Sequence, residues 1–242
     1  MKIIICFTTL LLIFASITFS QSVIDYQTGT GLTIQPGADV SADIVNINGT
    51  YTGGGTINGS TAYVLNLTAF IEGFYNSSSN FMISDTATVY LRNATSPFAK
   101  IDSAKSVLTP NGEGSFIFFN VTNGTNYYIV LTHRNSIETW SSTVQAFSSA
   151  TMIYNFTTAA NKAYGNNQKQ IDTSPLRFGI YSGDVNQDGV IDGTDNGLID
   201  NDATNFVMGY VNTDVNGDGV VDGSDAAIAD NNAFNFVTKI TP

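Results

Sequence analysis

A chain of 242 residues with twenty acidic and nine basic side chains carries a net charge of −11. That balance excludes a nucleic-acid binder, which needs a basic face. The only cysteine, Cys6, falls in the first apolar segment, so the rest of the chain has no disulfide and no thiol chemistry. Its stability must come from a core, from metal, or from both.

Met1-Lys2 leads into an apolar run from Ile3 to Phe19, and then into the small, polar stretch Ser20-Gln21-Ser22. A short basic start, an apolar middle and small residues at the exit are the marks of a secretory signal peptide, here 1–22, cleaved after Ser20 or Ser22. The run is at the short end for a spanning helix, and no later run approaches ~18 consecutive apolar residues. The expectation is a secreted, extracellular protein with no membrane segment after cleavage.

Residues 23–60 are rich in Gly, Thr and Asn, with short β-like pieces such as Asp43-Ile44-Val45-Asn46-Ile47 and a break at Gly53-Gly54-Gly55. They read as a leader or a small strand-rich segment. From 61 to 181 the pattern changes. Segments rich in Val, Ile, Tyr, Phe and Thr alternate with Asn, Gly and Ser turns: 62–75, 81–91, 115–121, 126–132 and 151–156. Short strands at this spacing predict an antiparallel β-sandwich. Asn111-Gly112 and Asn123-Gly124 are candidate hairpin turns.

Part of this region resembles the transthyretin-like or carboxypeptidase-regulatory type of sandwich. The likeness rests on Thr88-Val89-Tyr90-Leu91, Gly112-Glu113-Gly114-Ser115-Phe116, Asn120-Val121, and the run from Gly124 to Val130. It implies a sandwich and no catalysis.

The region offers little for an active site. His133 is the single histidine, no Gly-x-Ser-x-Gly motif is present, and the only glutamates are Glu72, Glu113 and Glu138. A glycosidase needs two carboxylates some 5–10 Å apart. We therefore expect a non-enzyme, with His133 at the surface or a strand edge. Tyr127, Tyr128, Trp140 and Tyr154 read as core or sheet-face aromatics. The alternative is a carbohydrate-binding accessory protein, in which they form a stacking platform for a glycan.

Eleven of the twenty acids lie between Asp184 and Pro242, with Lys239 as the one base. Two stretches there read DVNQDGVIDGTD (Asp184 to Asp195) and DVNGDGVVDGSD (Asp214 to Asp225). Each has oxygen-bearing side chains at positions 1, 3, 5, 9 and 12 and glycine at position 6, the layout of an EF-hand calcium loop. Aligning 184–207 with 214–237 gives 15 identities in 24 positions, an internal duplication. Helix-compatible stretches follow each loop, at 196–203 and 226–233. Phe206 and Phe236 close the units and are expected to pack across the pair. No helix precedes the first loop.

A loop plus one following helix, duplicated, resembles a type I dockerin module, here 182–242. Asp195 and Asp225 at position 12 are in keeping with that family. The resemblance implies two calcium ions. Asp184, Asn186, Asp188 and Asp195 ligate the first directly, Val190 gives its carbonyl, and Asp192 acts directly or through water. Asp214, Asn216, Asp218, Val220, Asp222 and Asp225 repeat this at the second. The resemblance also implies a cohesin-like secreted partner, in the setting of extracellular polysaccharide degradation. The chain departs from the family at positions 10 and 11 (Gly193-Thr194 and Gly223-Ser224), which often carry the partner-reading pair. Its helices also lack the usual Leu-x-x-Tyr-Leu ending. The fold expected is mainly β: an antiparallel β-sandwich, then a small α-helical dockerin-like module with two EF-hand-type loops.

Overall fold

The computed structural model describes residues 62–242 in full. Between 9 and 60 it describes the backbone of six strands: β1 (Thr9–Leu12), β2 (Val23–Tyr26), β3 (Gly31–Ile34), β4 (Asp39–Ile47), β5 (Thr50–Gly53) and β6 (Thr56–Ser60). Contacts divide the chain into two compact units, Met1–Tyr63 and Val64–Pro242. The expected signal peptide, 1–22, lies outside the described residues apart from β1. Among the described residues no helix is long and apolar enough to cross a membrane.

Among the described residues of the first unit the strand pairings are parallel. Odd-numbered strands form one sheet, β1-β3-β5, and even-numbered strands a second, β2-β4-β6. Successive strands alternate between the two sheets. Residues 23–60, read as a leader or a small strand-rich segment, contain the short strands β2 to β6.

The second unit is mainly β with two helices. Its strands are β7 (Tyr63–Thr68), β8 (Tyr75–Asn76), β9 (Phe81–Met82), β10 (Asp85–Asn93), β11 (Lys100–Leu108), β12 (Glu113–Phe118), β13 (Asn126–His133), β14 (Ser136–Trp140), β15 (Gln145–Ala146), β16 (Thr151–Asn155), β17 (Lys169–Thr173) and β18 (Leu176–Gly179). One sheet runs β11-β10-β13-β14, with β15 added on β13; a second runs β12-β7-β16. The larger sheet is antiparallel throughout. In the smaller one β16 lies parallel to β7, Thr151 opposite Val64, where the sequence predicts only antiparallel pairs. The two strands are far apart in the chain, and a long crossover permits either direction.

Alternation explains the core. Ala87, Val89 and Leu91 on β10, Leu65 and Leu67 on β7, and Phe116 and Phe118 on β12 are buried at alternate positions, while on β13 Ile129, Val130 and Leu131 are all buried. Strand β11 (KIDSAKSVL) is an edge with two outward lysines, Lys100 and Lys105. Charge on an edge strand discourages pairing with another chain. Asn111-Gly112 does form a turn, Gly112 N–H donating to Thr109 C=O at 2.8 Å, and so does Asn123-Gly124. The turns carry the chain from β11 to β12 and from β12 to β13, between the sheets.

Helices α1 (Gly193–Thr204) and α2 (Gly223–Phe234) follow the two loops as the duplication predicts. Each starts with a capping box. Asp192 accepts from Thr194 N–H at 2.7 Å, while Asp195 accepts from Asp192 N–H at 3.0 Å. Asp222, Ser224 and Asp225 repeat the arrangement.

Truncating a side chain in the sandwich core tests this packing. Phe116→Ala is expected to lower unfolding free energy by about 3–5 kcal/mol in a denaturant titration. Ile117→Ala, on the outward face of the same strand, is expected to cost less than ~1 kcal/mol.

Candidate metal centre

Each loop is held in shape by its own carboxylates. Asp195 Oδ1 accepts from the N–H groups of Val185 (2.9 Å) and Asn186 (3.2 Å). Asp225 does the same with Val215 (2.6 Å) and Asn216 (2.9 Å). Asp188 accepts from Val190 N–H and Asp218 from Val220 N–H, both at 2.9 Å. Gly189 and Gly219 sit at φ +92° and +84°, which a side-chain-bearing residue rarely adopts. Position 4 is left-handed too, occupied by Gln187 and Gly217. A Cβ at Gly217 would fall 2.5 Å from the ring of Phe74, so the second loop needs glycine there as well.

The two loop-helix repeats clasp each other. The segment after α1 runs beside loop 2, with Val221 N–H donating to Val207 C=O at 3.0 Å. The segment after α2 runs beside loop 1, with Ile191 N–H donating to Val237 C=O at 2.9 Å. Val185, Val215, Val221, Ile199 and Ala229 make a small shared core. Ile191 and Val237 pack instead on Ile137 of the sandwich.

Phe206 and Phe236 do not pack across the pair as the sequence suggests. They are 85% and 86% exposed. Each sits at positive φ just past a helix end, which turns its side chain outward and gives the inward place to the following valine. Phe234 and Met208 are exposed as well.

The first loop contains an electrostatic fault. Asp184 is 2% exposed, and its Oδ2 accepts from Gly189 N–H at 3.2 Å. Its Oδ1 is buried with no hydrogen-bond partner. Burial, then the neighbouring charges of Asp195 and Asp188, push its carboxyl up to about 7. Burial also raises Asp195 and Asp225, against the backbone N–H groups that pull them down. An unpartnered buried carboxylate beside other carboxylates fits a hard cation. The six residues predicted at each loop lie along one stretch of chain, 184–195 and 214–225. Among the described residues, however, no three His, Cys, Asp or Glu side chains converge as a ready metal cluster. Asp192 and Asp195 are engaged by backbone N–H groups, and Asn186 turns its Nδ2 to Asp188 at 3.0 Å.

The second loop differs through what touches it from the sandwich. Arg134 and Asn135 form the two-residue tip of the β13–β14 hairpin. Asn135 Nδ2 donates to Asp214 C=O at 2.8 Å. Arg134 bridges Asp85 Oδ2 (3.0 Å) and Asp214 Oδ2 (3.4 Å), donates to Val211 C=O, and lies 4.5 Å from the Tyr210 ring centroid. Asp85 also meets His133 Nε2 (3.1 Å) and Tyr210 Oη (2.6 Å). Burial alone would raise the Asp85 carboxyl, but these partners hold it well below the usual range. A second link joins Glu72 to Lys169 (3.1 Å), Asn232 Nδ2 (2.6 Å) and Ser182 N–H (3.1 Å).

His133, expected at the surface, is 3% exposed. Its ring lies 3.2 Å from Ser136 Oγ and 3.1 Å from Asp85. The trio has the composition of a hydrolytic triad, but Ser136 is fully buried. Of the aromatics considered for a glycan platform, Tyr127, Trp140 and Tyr154 are buried and only Tyr128 is partly open.

No family model matches the chain, and no curated protein matches it. Among solved structures, it is similar to a chain in the crystal structure of a complex from Acetivibrio cellulolyticus, an N-terminal interface mutant of a type II Cohesin-X-Dockerin complex. Identity is 16%, coverage is 72% of this chain and 97% of that one, and the TM-score is 0.38.

The Asp184 carboxyl sets a pH dependence. Its value rises from 3.8 to about 7 in the folded, metal-free chain. Between those values the folded state binds more protons than the unfolded state, so stability falls as pH rises. In chelator, thermal melts are expected to give a higher Tm at pH 5 than at pH 8. Asp184→Asn is expected to flatten that slope.

Proposed function

We propose that residues 182–242 bind two calcium ions, one per loop, within a secreted, non-catalytic protein. The observation that carries this is the buried, unpaired Oδ1 of Asp184 inside a loop whose oxygen spacing occurs twice. Asp184, Asn186, Asp188, the Val190 carbonyl, Asp192 and Asp195 hold the first ion. Asp214, Asn216, Asp218, the Val220 carbonyl, Asp222 and Asp225 hold the second. Calcium supplies two positive charges and accepts six to eight oxygens in a flexible shell. Magnesium demands a strict octahedron and suits these oxygen-rich loops less.

The residues of the chain do the rest. The glycines at position 6 turn each loop back on itself. Asp192 and Asp222 cap the helices. Val185, Val215, Ile191 and Val221 anchor the loops to apolar contacts, so ordering of a loop and packing of the module are one event. The links through Arg134, Asn135, Glu72 and Asn232 carry that order into the sandwich. Signal-directed export places the protein where calcium is abundant, and extracellular calcium modules bind at ~0.1–1 mM. The exposed Phe206, Phe234 and Phe236 support docking of a protein partner, a secreted cohesin-like protein on the family resemblance. With Tyr127, Trp140 and Tyr154 buried, the glycan-platform alternative has no supporting observation.

Calorimetric titration with calcium is expected to return two ions per chain. Asp195→Ala or Asp225→Ala should each reduce the count to one. Calcium at about a hundred times its Kd is expected to stabilise the fold by ~2.7 kcal/mol per site, read as a rise in Tm. A melting curve indifferent to calcium and chelator would sink the proposal.

A further inference from the structure

We infer that Arg134 is a built-in counter-ion of the second loop that makes the two calcium sites unequal, loop 1 binding more tightly than loop 2. This rests on the calcium reading above and concerns residues outside both loops.

The loops are near-copies, with four carboxylates each at positions 1, 5, 9 and 12, so their sequences alone predict near-equal affinity. Their surroundings are not copies. At loop 1, Asp184 Oδ1 is buried and unpartnered. Lys239 lays its stem over Gly189, but no ion pair joins it to a described carboxylate. At loop 2, the position-1 carboxylate of Asp214 is fully engaged. Its Oδ1 accepts from Gly217 N–H at 2.8 Å, and its Oδ2 faces Gly219 N–H at 3.3 Å and the Arg134 guanidinium at 3.4 Å.

Arg134 cannot easily swing away. Its side chain is 10% exposed, held by Asp85, the Val211 carbonyl and the faces of Tyr210 and Phe74. A fixed positive charge beside a ligand carboxylate has two effects on a divalent cation. It repels the ion across a few ångströms in a partly shielded site, and it competes for the same oxygen. Both effects fall on loop 2 alone. The hairpin tip thus sets a cationic side chain against like-charge repulsion in the second loop, whereas among the described residues the loop 1 carboxylates are met by backbone N–H groups and by no paired cation.

The test isolates each site and then changes Arg134. Asp214→Asn leaves loop 1 as the working site, and Asp184→Asn leaves loop 2. Calcium titrations of the full chain are expected to give the loop 1 site a Kd about tenfold lower. Arg134→Gln in the Asp184→Asn background should tighten loop 2 by most of that factor, while Arg134→Lys should not. Arg134→Gln in the Asp214→Asn background should leave loop 1 unchanged. A merely structural role for Arg134 would weaken binding when it is removed, so tightening is diagnostic. Equal affinities, or weaker binding at loop 2 in Arg134→Gln, overturn the inference and leave two-site calcium binding standing. No calcium binding in either single-site variant or in the parent chain overturns both.

Discussion

A buried carboxylate needs a partner, and much of the C-terminal module follows from how its carboxylates find one. A twelve-residue loop with four aspartates would be self-repelling in water at roughly 1 kcal/mol per close pair, and more once shielded from solvent. The chain meets part of this demand with backbone N–H groups. Asp195 and Asp225 gather two loop amides each, then turn back to cap their helices. Asp184 is the residue for which the backbone is not enough. Its position, facing Asp188 and Asp195, makes a cation the natural remaining partner.

The same demand ties the module to the sandwich. The tip of the β13–β14 hairpin reaches the second loop through Arg134 and Asn135. Asp85 lies behind Arg134, with His133 behind Asp85, so a buried polar chain runs from the sheet to Asp214. On the other side, Glu72, Lys169 and Asn232 join the first turn of the sandwich to α2. Buried polar networks of this kind fix one arrangement of the groups they join, because any other leaves a charge unpaired. Order in the loops and order at this face of the sandwich are therefore coupled.

The loops were legible because their chemistry is written in spacing. Alternate Asp and Asn with a central glycine, twice in one register, mark both loops, and the helices begin at Gly193 and Gly223, three residues before the stretches expected for them. The strands were legible where one face is buried, as in β10 and β12. Strand β11 was not, because an edge strand with polar residues on both sides carries no apolar alternation. Phe206 and Phe236 misled for a related reason. Hydrophobicity predicts burial, but here the left-handed residue just past each helix holds its ring outside. His133, Arg134 and Asn135 were invisible as site residues, because a basic pair at a hairpin tip has no pattern until the fold sets it against Asp214. Between 23 and 60 short β-like pieces were visible in the sequence, but their parallel pairing was not.

The central claim is that the loops convert charge repulsion into coordination. Crystals grown with calcium and measured near an absorption edge that gives calcium an anomalous signal test it most directly. The account predicts two anomalous peaks, one within ~2.3–2.6 Å of Asp184 Oδ1 and one at the same distance from Asp214. Density showing Asp184 Oδ1 satisfied by a protein donor or a water, with no anomalous peak in either loop, would contradict it.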